Sequence, residues 1–364
     1  MTYTVILRAC LSVTLVLVSV AAIAQSGTRG SVLEGEAEEK LEQSSPWLLV
    51  PVFSVNPKLG TSAGALGGYM HYFDEKSRVS IFGASAQYTS TGSFIAGMFA
   101  RTSFGEDHHR LLAGMFGGNV KNDYEDFLGT GVPLQTDAEL RAVVSRYLYR
   151  VKGDWFFGAQ GIHTNFYQAG QAAFDEQVLT VLGLKGFEAG GLGLVAYYDS
   201  RNDENMPLRG WLFNLNNIAY RDGLGGSENF DVYRLDVRGF WSHPMGVFAV
   251  RQNNHWSVDA PASAHAPIQL RGYKIGQYTG ERMSSIEAEE RWRFAQKWTS
   301  TFFAGVACLY GGGRECTDSD NVYPNWGAGV QYILKQKEGI VVNLEYAGGK
   351  DGNYGVYMKM GYGY

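Results

Sequence analysis

Four groups of residues in this chain are of types that could do chemistry. Gly60-Thr61-Ser62-Ala63-Gly64 spells the Gly-x-Ser-x-Gly pattern of a serine nucleophile. That chemistry needs a strand-turn-helix elbow with a histidine and an acid. Here the stretch runs on into Leu66-Gly67-Gly68-Tyr69, so it reads as a glycine-rich strand. His108 and His109 are adjacent, and on a strand they point to opposite faces, which argues against a shared metal. His163 and His255 show no ligand spacing either, so neither metal nor cofactor is expected. Cys308 and Cys316 stand eight positions apart. The fourth group is one loop arginine, Arg271 in Leu270-Arg271-Gly272-Tyr273, followed by Met283–Phe294 with charges at every second position, among them Glu287, Glu289 and Arg291. Charges on one face of a strand need water or partners. An arginine folding back onto them would form ion pairs, which is positioning chemistry and not catalysis. No enzyme is expected.

The elements that must hold these groups follow from composition. The 364 residues include 47 Gly, 22 Tyr and 20 Phe but only 9 Pro, which suits many short strands. A net charge of −5 gives no basic patch for nucleic acid. Residues 1–24 have the n-region, apolar run and Ala22-Ile23-Ala24 site of a secretory signal peptide, with cleavage expected after Ala24. Cys10 precedes the apolar run and does not read as a lipidation site. Export leaves Cys308 and Cys316 in an oxidising compartment, where a disulfide between them is expected, with two free thiols as the alternative. Residues 25–46 are acidic and too few for a domain, so they read as a periplasmic linker.

From Trp47 to Tyr364 the hydrophobic period is near two, and sixteen strand candidates can be drawn, many longer than ten residues. The even-numbered connections include the tight ones, such as Gly105-Glu106-Asp107 and Lys152-Gly153, while most long ones are odd-numbered. Outer-membrane barrels sort their loops this way, short on the periplasmic side and long outside. In the tenth strand Tyr233, Leu235, Val237 and Trp241 oppose Arg234, Asp236 and Arg238, as lipid outside and water inside require. The fold class expected is all-β, one sixteen-stranded antiparallel transmembrane β-barrel over 47–364 in the outer membrane of a Gram-negative bacterium. The lumen-facing arginines either line a charged channel or pair and plug it.

Two stretches then carry a resemblance. Asp199-Ser200-Arg201-Asn202-Asp203, with Pro207 and Gly210 following, is similar to the Asp-x-Arg-(Asp/Asn)…Pro-x-x-Gly pattern of the bacterial surface antigen family, the BamA/TamA superfamily. Leu270-Arg271-Gly272-Tyr273 resembles that family's loop motif, and Glu289-Glu290-Arg291 its Glu-x-Arg strand. The chain's ending on Tyr362 and Tyr364 resembles the terminal signal read by barrel assembly machinery. The resemblance implies a loop between strands eleven and twelve folded into the lumen, with Arg271 paired to Glu289, or to Glu287 on the same face. Asp199, Arg201 and Asp203 would organise the end of strand eight. Two departures stand out. Residues 25–46 cannot hold a POTRA domain, and Phe302-Phe303-Ala304-Gly305 lacks the aspartate that the family often has in an aromatic-x-Asp-x-Gly context.

The function implied is insertion or translocation of protein or lipid through a seam between first and last strands, among outer-membrane lipid. That reading expects weak pairing of Trp47–Val55 with Asn353–Tyr364. The alternatives are a passive pore for small solutes, with a well-closed seam, or a barrel anchor for a separate periplasmic partner.

Overall fold

The computed structural model describes residues 45–56, 60–124, 134–170, 172–174, 177, 186–204, 206–261, 264–273, 278–335 and 340–360. The expected signal peptide, nearly all of the linker, and the terminal Tyr362 and Tyr364 lie outside these residues.

Sixteen antiparallel strands form a barrel: β1 (Trp47–Asn56), β2 (Gly60–His71), β3 (Ser80–Thr89), β4 (Phe94–Phe104), β5 (His109–Tyr124), β6 (Leu134–Lys152), β7 (Trp155–Gly170) and β8 (Gly186–Asp199), then β9 (Gly210–Tyr220), β10 (Phe230–His243), β11 (Gly246–Val258), β12 (Arg282–Ala295), β13 (Trp298–Tyr310), β14 (Val322–Lys335), β15 (Ile340–Gly349) and β16 (Tyr354–Met360). Each strand pairs with its chain neighbours, and β1 meets β16. In lipid every backbone polar group must be satisfied within the protein, which a barrel can achieve and an open sheet cannot.

Alternation sorts the two faces. On β12, Ile286 and Trp292 are exposed outward, while Glu287, Glu289 and Arg291 are buried inward. Rings cluster outside near the even-numbered turns. Trp47 packs at a tilt on Tyr69, Tyr69 stacks with His71, and His71 meets Phe73 edge to face. The series continues through Phe104, His109 and Tyr149, then Trp155 with Tyr198, and Trp211 with Trp241. A girdle of this kind marks a membrane interface. Inside, Leu48, Val50, Leu66, Ile81, Phe99 and Phe116 pack together along β1 to β5. That part of the lumen is filled by side chains.

The closure is uneven. β1 pairs with β2 from Trp47 to Asn56 without a break. Against β16, the described residues place only Ser54 opposite Tyr357 and Val55 opposite Val356. Residues 48–53 of β1 therefore have no strand partner on that edge among the described residues.

Candidate functional site

Ser62 lies within β2, with no elbow around it, and its hydroxyl accepts a hydrogen bond from Gln87. His109 belongs to the outer ring belt, hydrogen-bonded to Tyr147. Neither residue sits in a constellation for catalysis. Cys308 and Cys316 are joined by a disulfide, with Cα atoms 5.6 Å apart. The bond ties the end of β13 into the connection that follows.

The motif residues hold two groups of buried charges on the inner wall, apart from Asp236 on β10, which accepts from Arg238 at 2.6 Å and from Arg251 at 2.8 Å. The first is built on the connection between β11 and β12. Its described parts carry a short ladder of Ala266–Pro267 with Thr279–Gly280. Ile268, Leu270 and Tyr273 are buried there against Met283, Ala307 and Leu309 of the wall. This apolar seat delivers the Arg271 side chain to the inward face of β12. Its Nε and Nη2 donate to Glu287 Oε1 at 3.1 and 2.6 Å. Nη1 lies 2.7 Å from Glu289 Oε2 and 3.4 Å from Glu345 Oε1 of β15. Arg291 Nε donates to the other oxygen of Glu289 at 2.6 Å. Asn325 of β14 ties the set together, donating to the Arg271 carbonyl at 3.1 Å and to Glu287 Oε2 at 2.6 Å.

The two residues after Arg271 fix its approach. Gly272 has φ +93°, and a Cβ there would meet the Gly348 backbone at 3.0 Å. Only glycine takes that conformation without strain. Tyr273 Oη donates to the Pro324 carbonyl at 2.5 Å and accepts from the Lys350 N–H at 2.7 Å. Its ring fills the space a Cβ on Gly349 would take. The Gly272 N–H donates to Tyr357 Oη on β16 at 3.1 Å, so the loop motif touches the last strand directly.

Glu345, Asn325 and Phe303 had no sequence signal as members of this group. Aligning the family's aromatic-x-Asp-x-Gly pattern on Gly305 puts Phe303 at the aspartate's position. The Arg271 guanidinium lies over the Phe303 ring instead, and the additional carboxylate comes from Glu345, two strands further on.

The second place is at the even-turn end, on β4 to β9. Asp199 is buried at the end of β8 and accepts a fork from Arg201, Nε at 2.7 Å and Nη2 at 3.1 Å. It also accepts from Arg78 at 3.0 Å. Asp203 accepts from the Met206 N–H at 2.8 Å, and Asn202 from the Leu208 and Arg209 N–H groups, so side chains cap the 200–209 connection. Pro207 is buried within it. Gly210 has φ +107° and lies so close to the Ser200 carbonyl that a Cβ would stand 2.4 Å from it.

The connection also sends Glu204 into the lumen, where it meets Arg78, Arg101 at 3.3 Å and Arg110 at 3.4 Å. Asp107, in the turn after β4, accepts from both Nε and Nη2 of Arg110, at 2.9 and 2.7 Å, and from Ser103 Oγ at 2.6 Å. Burial alone would raise the Asp107 carboxyl, but Arg110, Arg78 and the Ser103 hydroxyl outweigh it and hold it down at about 2. Asp107, Glu204 and their arginines carried no motif in the sequence. The only available signal was the parity of Arg101, Arg110 and Arg150, which places each on the inward face.

Fold and inner-wall geometry together define a sixteen-stranded antiparallel β-barrel with paired charges buried on its inner wall. No family model matches the sequence, and no curated protein matches it. Among solved structures it is similar to BamA from Haemophilus ducreyi lacking POTRA domains 1–3, at 11% identity and a TM-score of 0.53 over 95% of this chain and 77% of that one. It is similar to CdiB from Acinetobacter baumannii at 10% identity and 0.59, over 92% of this chain and 65% of that one. CdiB from Escherichia coli gives 8% and 0.59, over 92% and 66%. The chain thus spans slightly less than two thirds of the CdiB chains. At such identities the likeness is one of fold.

Proposed function

We propose that this barrel works in the outer membrane as a non-enzymatic component that aids insertion or translocation of protein or lipid across a β1–β16 seam. The observation that carries the reading is the ladder among the described residues there, two pairs, Ser54 with Tyr357 and Val55 with Val356, beside an uninterrupted β1–β2 ladder. Unpaired backbone edges are costly in hydrocarbon, several kcal/mol per unsatisfied group. A seam with few such bonds among its described residues is therefore the place where a second strand or a lipid headgroup gains most by entering. The motif loop reaches this seam through Gly272 and Tyr357, so its conformation and the seam's are coupled.

A passive pore is disfavoured by the apolar packing inside β1 to β5 and by the paired charges on the wall. The outward apolar belt has outer-membrane lipid as its partner, the barrel assembly machinery acts on the chain during its own biogenesis, and a periplasmic partner would engage the acidic segment 25–46. Depletion followed by outer-membrane proteomics and lipid analysis tests the reading. Loss of particular barrel proteins or a shift in lipid composition is expected. Unchanged levels of both, with growth maintained, would sink it.

A further inference from the structure

The even-turn end of the lumen holds more positive than negative charge, around an open space. The cavity there has a volume of about 100 Å³ and is lined by Arg78, Arg101, Arg110, Arg146, Arg201 and Glu204. One water needs roughly 10–15 Å³ of such volume, so a tetrahedral oxyanion fits with solvent around it.

The carboxylates nearby are already committed. Asp199 accepts the fork of Arg201, and Asp107 that of Arg110 and a further bond from Arg150. Asp203 caps its own connection. That leaves Glu204, which Arg78, Arg101 and Arg110 share. Arg146 is held by the neutral amide oxygen of Gln160, at 3.0 and 2.5 Å, and by no carboxylate in the group. Arg101 makes one contact at 3.3 Å through Nη1, while its Nη2 is shut from bulk solvent and has no hydrogen-bond partner. Counting Arg150 with the five arginines that line the cavity, and Asp107, Asp199 and Asp203 with Glu204, six arginines meet four carboxylates. A buried guanidinium whose charge is only partly balanced favours a counter-charge, so the surplus favours an anion in the space between Arg101 and Arg146.

We propose that this cavity is a binding site for a phosphate-type oxyanion, with Arg101 and Arg146 as principal donors and Glu204 as the internal counter-ion it competes with. Guanidinium forks match the oxygens of phosphate in geometry as well as charge. The same chemistry serves free phosphate entering from the aqueous lumen and a phosphate carried on a lipid headgroup. The exposed fractions of the Arg78, Arg101 and Arg110 side chains, 17%, 14% and 11%, show that water reaches the site.

Titration calorimetry of the purified full chain in detergent, with inorganic phosphate in chloride buffer, is the test. One saturable site per barrel is expected. Arg101→Gln should weaken it at least tenfold and Glu204→Gln should tighten it, both keeping the heat-modifiable gel migration of a folded barrel. If Arg101→Gln does not fold, Glu204→Gln decides alone, with tighter binding upholding the site and unchanged affinity overturning it. Repeating the titration in nanodiscs, with a phosphate-bearing glycolipid or its dephosphorylated counterpart, separates the sources. Competition by the phosphorylated lipid alone identifies the headgroup, and no competition by either identifies soluble phosphate. Failure of the folded wild-type barrel to bind phosphate saturably overturns the proposal.

Discussion

The Arg271 guanidinium lies over the Phe303 ring, its central carbon 3.4 Å from the ring centroid, with carboxylates of β12 and β15 around it. One face is thus covered by an aromatic ring and the edge is taken by charge-assisted bonds. Lysine offers neither a planar face nor a fork. Removing the arginine leaves Glu287, Glu289 and Glu345 buried together with Arg291. Breaking a buried pair by removing one partner costs about 3–5 kcal/mol. Arg271→Ala should lower the unfolding midpoint of the heat-modifiable band and open the 259–281 connection to protease, and Arg271→Lys should fall between it and the wild type. An unshifted midpoint with the connection still protected would show that the pairs contribute no net stability.

Phe303 gives a second test of the same group. A cation–π contact of a desolvated arginine contributes about 2 kcal/mol. Phe303→Leu keeps the apolar volume and removes the ring face, so a loss of that order is expected in the same assay. Phe303→Asp adds one more carboxylate to those already around Arg271. It should destabilise more than Phe303→Leu at neutral pH, and the difference should shrink on acidification. Equal losses for both variants would show that charge balance does not govern this group.

The two replacements at Phe303 show what sequence could and could not reach. The barrel was legible because a period of two, long strands and alternating loop lengths are local properties of the chain. The Arg271 loop and the β12 stripe of Glu287 and Glu289 lie within eighteen residues of one another, and a motif flags the pair. Glu345 comes from β15, and only strand pairing brings it to Arg271. Glu204 is similar: it sits next to a recognisable Asp-x-Arg stretch, yet its partners Arg78, Arg101 and Arg110 are set by how turns of separate hairpins meet. Register across the barrel determines such contacts, and no local pattern encodes it.

Gly210 is where the second motif meets backbone geometry. Its φ of +107° is open to glycine, and an added Cβ would stand 2.4 Å from the Ser200 carbonyl and 2.8 Å from the Arg201 Cα. Both atoms are backbone, so relief must come from moving the connection. Gly210→Ala should cost about 1–3 kcal/mol, in line with other strained backbone positions. The Arg201–Asp199 fork sits in the displaced segment, so folded barrel should also form more slowly in a detergent refolding assay. A midpoint within error of wild type would mean that 200–209 adapts freely.

The carboxyl of Asp107 sets an acid limit. Its folded value of about 2 lies below the ordinary aspartate value of about 3.9. A depressed carboxylate contributes stability that is present above the unfolded value and is lost as pH falls through the folded one. The window is therefore pH 4 down to 2, and the contribution is on the order of 2 kcal/mol. Asp107→Asn should reduce stability at pH 7 and flatten the decline across that window. A parallel decline in wild type and variant would assign the acid sensitivity to other carboxyl groups.

The strongest test of the seam is to lock it. Val55 and Val356 face each other in the β1–β16 ladder. Facing residues of antiparallel strands have Cα atoms about 4.5–5.5 Å apart, within the range a disulfide spans. Val55→Cys with Val356→Cys should therefore cross-link under mild oxidation without moving the backbone. A hydrogen-bonded edge can exchange partners, and a covalent one cannot. If function requires that residues 48–53 of β1 offer their edge to another strand or to lipid, the oxidised variant should fail to rescue depleted cells, and reductant should restore rescue. Either cysteine alone should rescue under both conditions, which separates locking from substitution. Full rescue by a variant shown to be cross-linked would mean that the seam stays shut in the working protein.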